Sequence, residues 1–316
     1  MLSNFIFSLN ATVPVFLIIV LGYVLKRIGF IDDNFVRIAN KINFVVALPA
    51  LLIHDMMQSE FKKMMDGYFV LFCAVVTVVS ILASWLFTKL LMKDKTLVGE
   101  FAQAAYRSSA ALLGTAFVIN MYGNSGLVPL MILGAVPLYN ICAVIILTVE
   151  CPDKSEDDRK TIGSTMKGIL TNPIVIAIAV GIVLAFLDIR LPRMIDATLD
   201  TVGKLSTPIA LIGIGGAFEI NKALKKWKPA AIATFMKLIG WGVIFIPIAI
   251  ALGYTHEKLI AIIIMLCSPT TASCFIMAKS MKHEGTLTSS TIVLTTFFSA
   301  FTMTAVIFVC KTLGYL

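Results

Sequence analysis

Residues 173–187 read PIVIAIAVGIVLAFL, a run without a single charged or hydrogen-bonding side chain. A surface helix of a soluble protein would carry polar residues along one face. A strand of a membrane barrel would alternate between apolar and polar residues. The run shows neither pattern, and a helix is the form in which one segment pairs all of its backbone groups inside lipid. The run therefore predicts a membrane-spanning α-helix.

The rest of the chain is similarly apolar. Hydrophobic residues make up 59% of the 316 residues and charged residues 14%, with a mean hydropathy of +0.94, whereas soluble domains are about 45–50% apolar and about 25% charged. A span needs about 20 mostly apolar residues. Runs of this kind lie near 11–30, 38–57, 67–91, 98–121, 126–149, 168–187, 195–218, 229–253, 257–278 and 286–310. The sequence thus predicts an all-α integral membrane protein with ten transmembrane helices.

Several classes of function find no support in the sequence. The net charge of +8 is spread between apolar runs rather than gathered in a stripe, so no nucleic-acid partner is expected. The six cysteines include no CxxC pair, and we expect no disulfide, metal or cofactor. The histidines are isolated, and no HExxH, Walker or GxSxG motif occurs. We therefore do not expect an enzyme.

Basic residues predict the orientation. Loops that follow odd-numbered spans hold 17 of the 26 Lys and Arg residues, and the opposite side holds six. Because cytoplasmic loops are enriched in Lys and Arg, both termini should lie outside the cytoplasm. We expect a multi-pass protein of the inner (plasma) membrane.

A shift of 159 residues aligns the two halves of the chain. The aligned pairs are Pro14 with Pro173, Gly22 with Gly181, Pro49 with Pro208, Gly126 with Gly285, and Leu52-Ile53 with Leu211-Ile212. Apolar helices match one another easily at Leu and Ile, but Pro is scarce, with 11 in the chain. The shift predicts a first five-helix repeat at 1–150, a cytoplasmic linker at 151–167 and a second repeat at 168–316. An odd number of spans inverts the second copy, as in many secondary transporters.

The fourth and ninth spans, paired by this shift, contain polar interruptions. Pro269 in the ninth span lacks a backbone donor and should break the helix. Broken helices at mid-membrane are where such transporters bind substrate, although small hydroxyl residues also allow close helix packing. The candidate substrate-binding residues at these interruptions are Arg107, Ser108, Ser109, Ser268, Pro269, Thr270, Thr271 and Ser273.

Two cations inside spans need an explanation. A cation in a span costs at least about 2.5–3.5 kcal/mol, so Arg107 should face a partner or an aqueous cavity, and its planar fork suits a carboxylate. A structural ion pair, or snorkelling from a shallower position, is an equal alternative. Lys237 raises the same question and joins the candidate binding residues. Because a buried lysine readily shifts its pKa, it could respond to substrate or proton by losing its charge. By contrast, we expect Lys204 near an interface, Asp55 exposed near the outer face, and Pro49 and Pro208 as kinks in a static framework.

These residues resemble the auxin efflux carrier family, which includes malonate and malate permeases. The matching pieces are 48–52, 106–109 followed by Gly114, 172–173, 208–215 and 269–279. The resemblance implies a fold similar to sodium–proton antiporters and bile-acid symporters, in which helices four and nine are broken and cross. It also implies a scaffold of spans 1, 2, 6 and 7, a moving transport domain of spans 3–5 and 8–10, and a homodimer.

The leading hypothesis is a secondary active transporter for a small organic anion, a mono- or dicarboxylate, with elevator-type alternating access. The sequence leaves open whether a proton or sodium is the coupling ion. The alternative hypothesis is a membrane receptor or regulatory subunit that binds such a ligand without net flux.

Overall fold

The computed structural model describes residues 2–58, 66–110, 118, 127–152 and 162–316, and the regular structure within these residues is helical throughout. The α-helices are α1 (Leu2–Arg27), α2 (Asp33–Ile42), α3 (Leu48–Gln58), α4 (Gly67–Leu91), α5 (Val98–Tyr106), α6 (Val128–Val149), α7 (Ile162–Leu170), α8 (Pro173–Phe186), α9 (Arg193–Lys204), α10 (Ser206–Ala217), α11 (Ile220–Lys225), α12 (Trp227–Phe235), α13 (Trp241–Ala251), α14 (His256–Cys267), α15 (Ser273–Ser280) and α16 (Thr286–Thr312). A 3₁₀ turn covers Lys95–Leu97. The expected all-α fold is confirmed.

Five helical stretches among the described residues are long and apolar enough to cross a membrane: Asp33–Met57, Gly67–Leu91, Val128–Val149, Trp227–Ala251 and Thr286–Thr312. They coincide with the predicted spans two, three, five, eight and ten. The opening run forms the shorter apolar helix α8. The chain is therefore a multi-pass membrane protein.

Two of the long stretches contain a π-turn. Asn43–Ala47 joins α2 to α3, and Met236–Gly240 joins α12 to α13. The first π-turn directly precedes α3, where Pro49 cannot donate a backbone hydrogen bond. Its Asn43 amide exchanges hydrogen bonds with Ser206, donating to the Ser206 carbonyl at 2.6 Å and accepting from the hydroxyl at 2.8 Å. This pairing holds the second span against the start of α10.

Glycines set the closest helix contacts. A Cβ added to Gly22 in α1 would lie 2.4 Å from the Ile212 carbonyl oxygen in α10. A Cβ added to Gly181 in α8 would lie 2.7 Å from the Met56 Cβ and 3.2 Å from the Ile53 Cα in α3. Small residues at helix contacts let backbones approach closely in lipid, where packing drives association. The pairs α1–α10 and α3–α8 therefore depend on glycine at these crossings.

Ion pairs among the described residues join ends of predicted spans that the sequence analysis places on the same side. Lys89 pairs with Glu150 at 3.4 Å, and Lys226 pairs with Glu284; all four follow or end odd-numbered spans. Lys258 pairs with Asp66 at 2.5 Å, and both lie next to loops that follow even-numbered spans.

Candidate functional site

The first helix break lies at Arg107–Ser109, directly after α5. The last helical bond runs from the Arg107 N–H to the Gln103 carbonyl, at 3.0 Å, and Arg107 then becomes extended. The next two carbonyls find side-chain donors: Thr270 Oγ1 donates to Ala104 and Trp241 Nε1 donates to Ala105, both at 2.8 Å. Most of the predicted span beyond this break, including Gly114, lies outside the described residues.

The second helix break lies at Ser268–Ala272, between α14 and α15. The last helical bond of α14 runs from the Ser268 N–H to the Ile264 carbonyl, at 3.1 Å. A continuing helix would pair the Met265 and Leu266 carbonyls with residues 269 and 270. Pro269 has no N–H, and the Thr270 N–H donates instead to Thr295 Oγ1 at 3.1 Å. The break expected at Pro269 is present.

The two breaks touch each other. The Ser109 N–H donates to the Pro269 carbonyl at 2.9 Å, and the Ser108 and Ser268 hydroxyls are hydrogen-bonded. Backbone freed by each break is therefore paired partly by the other break.

A cavity of about 520 Å³ opens beside the breaks, a size within the usual range for small-molecule sites. Seven of the predicted site residues line it: Arg107, Ser108, Ser109, Pro269, Thr270, Thr271 and Ser273. Ser268 is buried and reaches the cavity only through Ser108. Lys237 is absent from the lining. The structure therefore brings seven of the nine predicted residues to one cavity.

Arg107 lines this cavity although the residue is only 2% exposed. One terminal nitrogen, Nη2, donates to Asn140 Oδ1 at 2.7 Å and to Ser273 Oγ at 2.9 Å. The other, Nη1, contacts the Met277 sulfur, while Nε has no hydrogen-bond partner among the described residues. Among those same residues no carboxylate forms an ion pair with it. Its partners among the described residues are neutral, so none of them supplies a countercharge to the guanidinium beside the open cavity.

Lys237 lies behind the second break, in the π-turn at Met236–Gly240, and is fully buried. Its ammonium donates to the Leu266 carbonyl at 2.6 Å and to the Met265 carbonyl at 3.4 Å. These are the two carbonyls whose helical donors are missing. Lys237 therefore contacts the backbone of the second break rather than the cavity.

The opposite wall of the cavity includes residues that the sequence analysis placed elsewhere. Asp55, expected to be exposed, is partly buried and lines the cavity, as does Pro208, expected only to kink a framework helix. Lys204 also lines the cavity, and its ammonium forms an ion pair with Asp200 at 2.5 Å. This part of the cavity wall thus carries both an acidic and a basic residue.

Two polar residues that the sequence analysis missed support the site. Asn140, a lone amide within the apolar helix α6, accepts the hydrogen bond from Arg107 and could have been noticed for that isolation. Glu100 is buried at the other end of α5, and its carboxylate accepts hydrogen bonds from the Gly285 N–H at 2.7 Å and the Thr288 N–H at 3.0 Å. A carboxylate is favourable at a helix N-terminus, so Glu100 ties α5 to the start of α16.

Comparison with known proteins gives matches over most of the chain. The family described as "Membrane transport protein" (Mem_trans) matches residues 7–307. The chain is 24% identical over 279 residues to the uncharacterized transporter YfdV of Escherichia coli (strain K12), a match that covers 86% of this chain and 88% of that protein. The YfdV protein of Shigella flexneri matches with the same identity and coverage.

Proposed function

Because the chain belongs to the membrane transport protein family, we propose that it is a secondary carrier of a small organic anion, a mono- or dicarboxylate. One observation carries the proposal: Arg107 is buried, has only neutral partners among the described residues and lines a cavity of about 520 Å³. Membership of a transporter family also favours transport over catalysis.

The buried Arg107 guanidinium has no countercharge among the described residues. Removing an ion from water costs several kcal/mol even after relaxation, unless other groups compensate. The Asn140 and Ser273 oxygens supply two hydrogen bonds but no negative charge. A carboxylate in the cavity would supply that charge and could accept two parallel bonds from the guanidinium. The site is therefore most complete when an anion occupies it.

The second break favours the same ligand. Helix α15 begins at Ser273, and residues 271–273 line the cavity at its N-terminal end. An α-helix carries about half a positive charge at this end, which favours an anion. Arg107 and α15 thus contribute positive potential from two different segments, while the hydroxyls of Ser109, Thr271 and Ser273 are placed to orient the ligand.

We further propose that the chain consists of two inverted five-helix repeats, 1–150 and 168–316, joined by a cytoplasmic linker at 151–167. The glycine crossings support this proposal. Gly22 packs against Ile212 and Gly181 packs against Ile53, and a shift of 159 residues exchanges one pair for the other. Such a symmetric bundle suits alternating access, with spans 3–5 and 8–10 moving as an elevator against spans 1, 2, 6 and 7.

In this arrangement both termini face outward from the plasma membrane, and a homodimer is the expected assembly. The topology can be tested by labelling Lys226→Cys and Lys258→Cys in intact cells with a membrane-impermeant maleimide. Only Lys258→Cys should react. Reaction of both from the same side would contradict the inverted arrangement.

Uptake tests the function itself. The purified protein is reconstituted into liposomes, and the accumulation of radiolabelled malonate, malate and monocarboxylates is measured. At least one acid should accumulate, and Arg107→Ala should reduce its accumulation at least about 30-fold, since truncating one partner of a buried charge pair costs about 2–5 kcal/mol. Arg193→Ala is the matched control, because Arg193 is an exposed arginine at the start of α9.

The outcomes separate the proposals. Unchanged accumulation by Arg107→Ala would remove Arg107 from the site. Binding of an organic acid that requires Arg107, without any flux, would instead support the receptor hypothesis.

A further inference from the structure

The second break has a buried lysine amine where its helix ends. Helix α14 stops at Cys267, and the unpaired carbonyls at a helix C-terminus carry about half a negative charge. The Lys237 ammonium, fully buried, donates to two of these carbonyls, on Met265 and Leu266. Half-helix C-termini and unwound carbonyls of this kind coordinate the sodium ion in many secondary transporters.

The surroundings of Lys237 contain no negative partner in the described part of the chain. No carboxylate there forms an ion pair with it. The titratable groups that interact with it are the thiols of Cys267 and Cys274, which are also buried. Backbone carbonyls and the end of a helix dipole therefore provide its stabilisation, as they would for a bound metal cation.

We propose that the Lys237 ammonium takes the place of a coupling sodium ion at the second break, so that the protein binds and moves its ligand without sodium. The ammonium is tethered to the chain, whereas a metal ion at such a site binds and dissociates. The word 'coupling' rests on the proposed transport function. The replacement of a bound sodium ion by the Lys237 ammonium does not depend on it.

The π-turn explains how the side chain reaches this position. A single extra residue in the helical turn Met236–Gly240 changes which side chains face α14, and π-turns of this kind occur often at functional sites. The Trp241 N–H bonds the Met236 carbonyl five residues earlier. From the same helix Trp241 reaches the first break and Lys237 the second. One helix thus serves both breaks, with a neutral donor for one and a charged donor for the other.

Thermal unfolding of the full-length protein in detergent tests the proposal, with NaCl, KCl and N-methylglucamine chloride at equal ionic strength and no organic acid. The wild-type protein should unfold at the same temperature in all three salts. Lys237→Ser removes the ammonium and leaves the carbonyls free to bind sodium. Its unfolding temperature should rise by about 3 °C or more in NaCl only, because a ligand that binds the folded state alone stabilises it. Lys237→Arg keeps the charge and should behave as wild type.

Selective stabilisation of the wild-type protein by sodium would overturn the proposal, and so would a Lys237→Ser protein that is indifferent to the cation. Should Lys237→Ser fail to fold, binding of radioactive sodium to the wild-type protein decides the question, because saturable binding contradicts the inference and its absence supports it. Loss of uptake by Arg107→Ala has no bearing on these results, so failure of the anion site and failure of this proposal are distinguishable.

Discussion

The two helix breaks solve the same backbone problem with different chemistry. At the first break the Ala104 and Ala105 carbonyls accept from a hydroxyl and an indole. At the second the Leu266 carbonyl accepts from an ammonium, and the Met265 carbonyl accepts from that ammonium and from the Tyr139 hydroxyl, both at 3.4 Å. Neutral donors are sufficient to satisfy buried carbonyls, because a net hydrogen bond contributes about 0.5–1.5 kcal/mol without burying a charge. The comparison therefore suggests that the charge at the second break serves function more than stability.

The largest loss of stability among these substitutions is expected at Glu100, a buried carboxylate with well-placed hydrogen-bond donors. The buried Glu100 carboxylate accepts from two backbone N–H groups and from the Thr288 hydroxyl. Glu100→Gln turns one acceptor oxygen into a donor that faces an N–H group. We expect a loss of about 2–4 kcal/mol in the free energy of unfolding, since hydrogen bonds to charged groups contribute about 1.5–3 kcal/mol. Chemical denaturation in mixed micelles measures this free energy. A smaller loss for Glu100→Gln than for Trp241→Phe, the substitution described next, would contradict the expected order.

Trp241→Phe probes the neutral donor of the first break. The substitution keeps an aromatic ring but leaves the buried Ala105 carbonyl without its donor. We expect a loss of about 1–3 kcal/mol, the penalty for an unsatisfied buried polar group. The control is Trp227→Phe, because Trp227 is an exposed residue at the start of α12 and should be neutral.

Lys237→Met probes the charged donor of the second break and separates two opposing effects. If only hydrogen bonds mattered, losing both bonds of Lys237 should lower the free energy of unfolding more than Trp241→Phe does. Removing an unpaired buried cation, however, also relieves a desolvation cost of several kcal/mol. We therefore expect a net change within about 1 kcal/mol, measured by the same denaturation. A larger loss than for Trp241→Phe would show that the ammonium is kept for stability, against the comparison above.

The smallest effect belongs to a charge pair away from both breaks. A hydrogen bond from the Lys258 ammonium and another from the Phe69 N–H hold the pKa of Asp66 below its usual range. A carboxyl whose pKa is lowered by folding contributes stability above its unfolded pKa and loses it as the pH falls through the folded pKa. Lys258→Met should therefore lower the stability slightly at pH 7 and leave it unchanged below the folded pKa of Asp66, so that unfolding depends less on pH in the acidic range. An unchanged pH profile in thermal unfolding would contradict the assigned cause of the lowered pKa.

Parts of the site were predictable from local sequence. Pro269 predicted the second break because proline has no N–H, and Arg107 stood out as a cation in an apolar run. Neither residue indicated its partners. Asn140 is 33 residues from Arg107, and Ser108 is 160 residues from Ser268. Asp55 was misplaced for the same reason, since its position near the end of a span does not reveal that the span faces a cavity.

The amino-acid sequence by itself determined the all-helical membrane class, the places where helices must break and the residues whose charge needs an explanation. These follow from local rules, because lipid requires each segment to pair its own backbone and proline removes a donor wherever it stands. Only the tertiary structure decided that the breaks meet, that Arg107 faces the cavity with neutral partners and that Lys237 faces carbonyls instead. Such pairings depend on which helices pack together, and neither composition nor periodicity specifies contacts between distant segments.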